Sequence, residues 1–572
     1  MPESRTTEEK VGLILLAAAM ASAVALLFWL QRDLAFADDS FNWIILAGLG
    51  PAKALIEPYG GHLILTPMLI YKAVLGTAGA SYTAFGVIQV ALLLILSALV
   101  YEYGRRRLGP LLALPAAIAI LFLGSSSNVL EQPMLGIQFL CALVPGLAGL
   151  LALERGDCRG DVAACAFFAL AAVGFEMGLA FVVGGAVGIA LRDDRRQRAW
   201  IVAVPFLIYG VWRIWASQYG SSGVELSNVP WIPAYAVDNL GVVLASLFGL
   251  FFWVGSGQLT YLKLAGFDLS HLGEGLVLLT VELFAGALLV RRLLRRGPLP
   301  ATLWVAVAVL VAIWIEQGLA LAPNRTPGEV RYVFPDTVAF LLVALECARG
   351  IRATRFALIA AAAFTVAAVV GNLPRFKEGR DVLVEYTSSA RASMAAMELD
   401  GAGMPPDFNP VTEAAEAFVP GREAYIGPSS LDAITSRYGR LGYSLGELRT
   451  QPEPVRETAD IVAARGLGLR TAPGGAASAG CRTSGATGAI RLPPGGGVLR
   501  AQRASPLLLR RFASAYPVEI GRLRPGVAAT VRIPTDRERL AWHAFAPDGG
   551  MLIVCPLRGP RPSISASRLS GR

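Results

Sequence analysis

The chain has little charge and very few lysines. Of its 572 residues only 16% are charged, against roughly a quarter in soluble proteins, and 54% are hydrophobic. Lysine supplies five of the 51 basic residues, which suggests a GC-rich bacterial genome. The low charge excludes an ordinary soluble enzyme of this size. Repeated apolar runs, each long enough to cross a bilayer, instead indicate a polytopic α-helical membrane protein.

Histidine and cysteine are also scarce, with three and six residues, and neither shows a metal-ligand spacing. Cys481 and Cys555 are the only cysteines of the C-terminal region. A lone pair in an oxidising compartment predicts a disulfide, with two buried free thiols as the alternative. The net charge of +9 lies largely in short loops between apolar runs, so it does not indicate a nucleic-acid partner.

Four arginine-rich clusters orient the chain, because short cytoplasmic loops carry the basic excess. If all four clusters lie in the cytoplasm, the number of spans between any two of them must be even. This parity rule predicts about 11 spans, an N-terminus in the cytoplasm and a C-terminus outside. Residues 162–191 start and end inside, so they should form a hairpin of two short helices that turns at Glu176. Residues 239–256 would break parity, so we expect them to be re-entrant or to lie along the outer interface. The four clusters are residues 105–107, 192–198, 291–296 and 349–355.

The composition changes at residues 371–372, where long apolar runs end. We therefore expect a transmembrane domain over residues 1–371 and an extracytoplasmic α+β domain over 372–572. The sequence predicts helices at 378–399, 411–418 and 454–466. From about residue 486 onward, short β-like runs are separated by Gly/Pro turns, which is typical of a β-sandwich-like unit.

Two adjacent carboxylates, Asp38 and Asp39, follow the first apolar run. Solvated loop charges or a helix N-cap would explain them in structural terms. However, their loop, residues 31–81, is long and amphipathic, and it can lie flat on the outer leaflet. The carboxylates would then sit where a lipid-linked substrate presents its head group.

This pattern, with the stretch EPYGGHLILTPMLIYKAVLG at 57–76, resembles the GT-C glycosyltransferases. That superfamily includes protein O-mannosyltransferases, aminoarabinose transferases and mycobacterial arabinosyltransferases. The resemblance implies an inverting enzyme of the cytoplasmic membrane. Its donor would be a polyprenyl-phosphate sugar, and its acceptor an envelope glycan, lipid or protein. It also implies a GT-C-like helix arrangement and an outside domain that could bind carbohydrate.

The resemblance assigns a chemical role to the acidic pair. An inverting transfer needs a base that takes the proton of the acceptor hydroxyl, and Asp38 is the predicted base. Asp39 either orients the acceptor or acts as the base in place of Asp38. The pair could also hold a divalent cation, although no neighbouring residues complete a ligand cage and the metal requirement is left open. The donor phosphate needs a cation. Arg331 is our first candidate for it and Arg325 the second, with Tyr332 beside them, and a membrane-interface anchor is the alternative for Arg331.

Four further residues are candidates for the same site. His62 follows a Gly pair and could contact the phosphate or the acceptor; otherwise it is an interface residue. Arg213 lies near the end of an apolar run, where it lines a cavity or snorkels to the interface. Glu176 lines the cavity or sits at the water surface. Lys53 is the remaining cavity candidate.

A transporter or flippase for lipid-linked glycans, or a non-enzymatic assembly factor, is the alternative function. A transporter of this size often contains two matching halves with broken helices. The sequence contains no such repeat, which favours the transferase.

Overall fold

The computed structural model describes residues 7–36, 39–219, 223–250, 299–321, 327–406, 408–410, 427–484, 489–515, 517–534 and 540–558. The chain divides into two compact units. The first contains the residues up to 34, 50–77 and 81–383, and the second contains 35–49, 78–80 and 384 onward. Asp38 and Arg325 lie outside the described residues.

The first unit is helical throughout its described part. Its helices are α1 (Thr7–Gln31), α3 (Leu65–Ala78), α4 (Tyr82–Leu108), α5 (Leu114–Leu121), α6 (Ser127–Glu131), α7 (Pro133–Leu153), α8 (Cys158–Gly174), α9 (Gly178–Ala190), α10 (Arg195–Arg198), α11 (Trp200–Ala216), α12 (Ile232–Leu247), α13 (Ala301–Leu319), α14 (Val330–Cys347) and most of α15 (Arg355–Asp400). Short 3₁₀ turns occur at Ala52–Leu55, Gly124–Ser126, Ser217–Tyr219 and Leu226–Trp231.

The helices confirm a multi-pass membrane protein but not the number of spans. Six described helices are long and apolar enough to cross a membrane. A seventh results if α5 and the bent segment 124–131 form one broken span, with an angle of 43° between the two parts. The prediction of 11 spans is therefore not confirmed. One reason is length, since α8 and α9 have only 17 and 13 residues.

Two local predictions have different outcomes. Residues 162–191 do form a helical hairpin, α8 and α9, and Glu176 lies in its turn. By contrast, the re-entrant or interface position expected for residues 239–256 stays a prediction. Helix α12 packs against α13 and α14, and its residues from 241 to 247 are all buried. The apolar side chains of α12 thus contribute to the interior of the helical unit.

Helix α15 continues through the predicted domain boundary. It runs without a break from Arg355 to Asp400, whereas the compact units divide after residue 383. The composition change at 371–372 marks the end of an apolar stretch and not the end of a helix. The helix predicted at 378–399 is consequently the C-terminal part of α15.

A buried ion-pair group joins the ends of α4, α7 and α14. The Arg107 side chain is 2% exposed and pairs with Glu154 and with Glu346, which is fully buried. Its Nη1 donates to the Tyr103 carbonyl at 2.9 Å, and the Tyr103 hydroxyl donates to Glu346 at 3.0 Å. Every charge in this Arg107 group (Tyr103, Arg107, Glu154, Glu346) has a partner of opposite sign, which is the condition for a stable buried pair.

The second unit contains the remaining helices and all the strands. Its helices are α2 (Asp39–Leu49), α16 (Pro428–Tyr438), α17 (Leu445–Thr450) and α18 (Glu453–Gly466), with a 3₁₀ turn at Gly401–Gly403. Its strands are β1 (Ala472–Pro473), β2 (Arg482–Thr483), β3 (Ala489–Arg491), β4 (Gly496–Ala501), β5 (Ser505–Arg510), β6 (Val518–Leu523), β7 (Ala529–Arg532), β8 (His543–Phe545) and β9 (Leu552–Pro556). The segment predicted as a helix at 411–418 lies outside the described residues.

The strands form two antiparallel sheets, in the orders β1-β7-β4-β9-β2 and β3-β8-β5-β6. Burial alternates along β5, as expected for a strand with one face on a core. Cys481, next to β2, forms a disulfide with Cys555 of β9. The bond therefore joins two neighbouring strands that are far apart in sequence.

Candidate functional site

His62 is held by a tight turn that needs two glycines. Tyr59 and His62 exchange both backbone hydrogen bonds, each 3.0 Å long. The residues between them, Gly60 and Gly61, have φ values of 57° and 89°. Two successive positive φ angles are typical of a type I′ turn, and glycine adopts them without strain. The YGGH sequence thus fixes the position of the imidazole.

The segment around this turn packs against α11. The indole Nε1 of Trp212 donates to the Ile56 carbonyl at 2.8 Å. Leu63 forms a small apolar cluster with Trp212 and Ala216. These contacts on both sides of His62 bring it to the turn between α8 and α9.

His62 meets Glu176 at that turn. The His62 Nδ1 atom lies 2.6 Å from Glu176 Oε1, and the two side chains are 15% and 19% exposed. The Phe175 ring also packs near the imidazole, with 5.3 Å between the ring centres. Both residues were candidates from the sequence, but nothing in the sequence pairs them. The contact is close, but Nδ1 has no hydrogen-bond partner among the described residues, so it shows a carboxylate beside the imidazole and not a hydrogen bond that sets the orientation of the ring.

Three further side chains complete what we call the His62 site (His62, Glu176, Tyr209, Arg213 and Glu316). Glu316 of α13 interacts electrostatically with Glu176. Tyr209 of α11 interacts electrostatically with Glu176, Glu316 and Arg213. Arg213 was expected from the sequence and is half-buried. Glu316 was not, although a carboxylate inside the apolar run of α13 is itself a signal of function.

A second polar group lies between α12, α13 and α14. The Gln317 side chain donates to Asp336 Oδ1 at 3.1 Å and accepts from Asn239 at 2.9 Å and from the Tyr235 hydroxyl at 3.3 Å. Asp336 is completely buried, and among the described residues its Oδ2 atom has no hydrogen-bond partner. We call these four residues the Asp336 network. Its neighbour Glu316 interacts electrostatically with Asp336, so the network adjoins the His62 site.

Arg331 and Tyr332 lie in the first turn of α14. Arg331 Nε is 3.8 Å from Glu329 Oε1, and its guanidinium lies 5.2 Å from the centre of the Tyr332 ring. Burial raises the pKa of Glu329, and the charge of Arg331 partly opposes that rise. A partly buried guanidinium at a helix end is a suitable phosphate contact.

The remaining predicted residues are not part of this arrangement. Lys53 pairs with Glu57 at 3.1 Å and is 67% exposed, so it lies at the surface, and its role as a cavity residue stays a prediction. Asp39 begins α2, but neither its side chain nor Asp38 is among the described parts of the chain. Their roles stay predictions.

The His62 site can position a proton acceptor beside a cation. It has a carboxylate beside an imidazole, and a guanidinium whose charge acts on the same tyrosine as that carboxylate. Across the described ranges there is no group of three or more His, Cys, Asp or Glu side chains that could hold a metal ion. No protein-family model matches the sequence, and no curated protein matches it with significant similarity.

Proposed function

We propose that the protein is an inverting glycosyltransferase that moves a sugar from a polyprenyl-phosphate donor to an envelope glycan, lipid or protein. In this proposal it lies in the cytoplasmic membrane, with its N-terminus in the cytoplasm and its C-terminal domain outside. The reaction would then take place at the outer membrane face.

The observation that carries the proposal is the 2.6 Å contact between His62 and Glu176, in a site where the charge of Arg213 acts on Tyr209. His62 comes from the loop that also contains the acidic pair, and the other two come from apolar helices or their connection. The charge of a lipid phosphate lies at the membrane surface. A site that binds it must therefore combine hydrogen-bond donors with surrounding apolar side chains. Imidazole and guanidinium are both donors for phosphate oxygens.

The proposal divides the chemistry between two groups of residues. Asp38 accepts the proton of the acceptor hydroxyl. Asp39 orients that hydroxyl or acts as the base in place of Asp38. Arg213, Arg331 and the Nε2 atom of His62 hold the phosphate that leaves when the bond to the sugar breaks. The requirement for a divalent cation is left to experiment.

Purified protein would be incubated with radiolabelled polyprenyl-phosphate sugars, and sugar release or transfer would be measured. We expect turnover by the wild type, none by Asp38→Asn, and strongly reduced turnover by His62→Ala. Arg155→Gln is the matched control, because Arg155 is 56% exposed and pairs only with the exposed Asp157 among the described residues. No turnover of any donor by the wild type, or full turnover by both variants, would contradict the proposal.

The buried carboxylates favour one second candidate, a proton-coupled transporter of lipid-linked glycans. Glu316 and Asp336 lie inside helices of the membrane unit, where ionisable residues often mark proton paths. Proteoliposomes that take up protons when they translocate a donor lipid, without cleaving it, would support this alternative over the transferase.

A further inference from the structure

Glu131, at the end of α6, is a buried carboxylate without a visible partner. The residue is 0% exposed, and neither carboxylate oxygen has a hydrogen-bond partner among the described residues. The backbone of α6 is nevertheless held firmly. Gln31 donates to the Leu130 carbonyl at 3.2 Å, and the Tyr82 hydroxyl donates to the Glu131 carbonyl at 2.8 Å. Among the described residues, no donor therefore serves the negative charge of this side chain in the observed conformation.

Helix α15 covers this carboxylate at Gly379. A Cβ atom built on Gly379 would lie 3.6 Å from Glu131 Oε1 and 2.3 Å from Ser127 Oγ. Helix α15 thus approaches α6 closely at Ser127 and Glu131. The absence of a side chain at position 379 allows this approach.

Arg380 follows immediately and has a different partner. Its Nε donates to the Leu30 carbonyl at 3.2 Å, its Nη2 pairs with Asp33, and the guanidinium lies 5.5 Å from the centre of the Trp29 ring. Asp33 is 57% exposed, whereas Arg380 is 20% exposed. The charge of Arg380 still acts on Glu131. One arginine therefore lies between an exposed carboxylate and a buried one.

The surroundings of Glu131 supply few other charges. Helix α14 also packs on α6 and carries Asp336 and Glu346. Tyr82 of α4 donates to the Glu131 carbonyl, and Asp33 follows α1. Helix α15 presents Arg380 and Asp381, whose charges act on Glu131, and it carries Arg375, Lys377 and Glu378 on the preceding turn. An ionised carboxylate in this position is strongly unfavourable unless it gains a cation or a proton.

We propose that Glu131 is a proton-binding site, and that its charge decides whether Arg380 pairs with Asp33 or turns inward to Glu131. With the proton bound, Arg380 pairs with Asp33, as in this structure. When the proton leaves, the buried carboxylate becomes the stronger partner for the guanidinium. Because α15 extends to Asp400, this exchange acts on the helix that connects the two units. The proposal does not depend on the proposed transferase activity.

Infrared spectroscopy of the full-length protein in nanodiscs tests this exchange directly. A protonated carboxyl group has its own C=O band, and ¹³C-labelling of glutamate separates Glu from Asp. We expect a wild-type Glu band that disappears as the pH rises and is missing from Glu131→Gln. Glu57→Gln is the spectral control, because Glu57 pairs with Lys53 away from this site. If Glu131→Gln does not fold, Glu131→Asp moves the band into the unlabelled Asp region.

Two charge variants should shift this titration in opposite directions. Arg380→Gln removes the cation that stabilises ionised Glu131, so the band should persist to a pH higher by about one unit or more. Asp33→Asn removes the competing partner of Arg380, so the band should be lost at a lower pH. A band that never titrates, the absence of a Glu131 band at every pH, or shifts in the same direction would each overturn the proposal.

Discussion

The Arg107 group and the carboxylates Glu131 and Asp336 are both buried in the membrane unit, yet their electrostatics differ. In the Arg107 group, Glu346 has a guanidinium and a tyrosine hydroxyl as partners. Glu131 has no hydrogen-bond partner among the described residues, and Asp336 has one oxygen without a partner there. Paired buried charges maintain a structure, because removing one partner leaves the other charge buried and uncompensated, which lowers the stability of the fold. Unpaired ones destabilise the fold, which is typical of residues retained for function.

The largest expected effect is on the paired side. Arg107→Ala leaves Glu346 without its cation in a fully buried position, so the free energy of unfolding should fall by about 3–5 kcal/mol. Denaturation of the purified protein in mixed micelles measures this loss. Arg106→Ala is the control, because Arg106 is 37% exposed and its pairs should contribute about 1 kcal/mol or less. Equal losses in the two variants would mean that burial does not distinguish these arginines.

The second prediction concerns a carboxylate of the His62 site. Glu176→Gln keeps the size of the side chain but removes the charge beside His62, so transfer activity should fall about 100-fold. Because the change also removes the repulsion between Glu176 and Glu316, stability should stay within about 1 kcal/mol of the wild type.

A double-variant comparison tests whether His62 and Glu176 act as one unit. If they do, His62→Ala with Glu176→Gln should be no less active than His62→Ala alone. Activity losses that multiply in the double variant would show that the two side chains act independently.

The residues of this site show what the sequence could predict. Parity of the arginine clusters predicted the hairpin at 162–191 and put Glu176 in its turn. The Gly pair marked His62 as a special position. Their contact was not predictable, because it depends on how the segment at 56–63 packs against Trp212 and Ala216 of α11. Contacts between residues far apart in sequence have no local signature.

The helices show a second limit of sequence reasoning. Hydropathy marks apolar length, but it does not say where a helix bends or ends. Helix α5 stops at Leu121 and the chain turns by 43° into the segment that ends at Glu131. Glu316 could have been identified from its position in an apolar run, by the argument used for Arg213.

The third prediction extends the paired side of the comparison to the second unit. Asp460 is buried, and its carboxylate accepts from the backbone N–H groups of Arg511 and Ala513 at 2.9 Å and of Phe512 at 3.0 Å. Burial raises the pKa of Asp460, and these donors oppose that rise. In Asp460→Asn an amide –NH₂ group would face N–H donors, so the free energy of unfolding should fall by about 1–3 kcal/mol. Glu457→Gln, on the same helix, is the control. An equal loss of unfolding free energy in that variant would mean that the hydrogen bonds to Asp460 do not account for the effect.

The smallest expected effect tests the unpaired side. Asp336→Asn removes a buried charge and keeps an oxygen that can accept from Gln317, so the free energy of unfolding should be unchanged or raised, within about 1 kcal/mol. The comparison variant is Glu346→Gln, a similar loss of charge on the same helix, which should be clearly destabilising because Arg107 loses its buried partner. Denaturation of both variants in parallel at neutral pH provides the measurement. If Asp336→Asn were as destabilising as Glu346→Gln, the Asp336 carboxylate would have a stabilising partner, and it would belong with the structural charges of the Arg107 group.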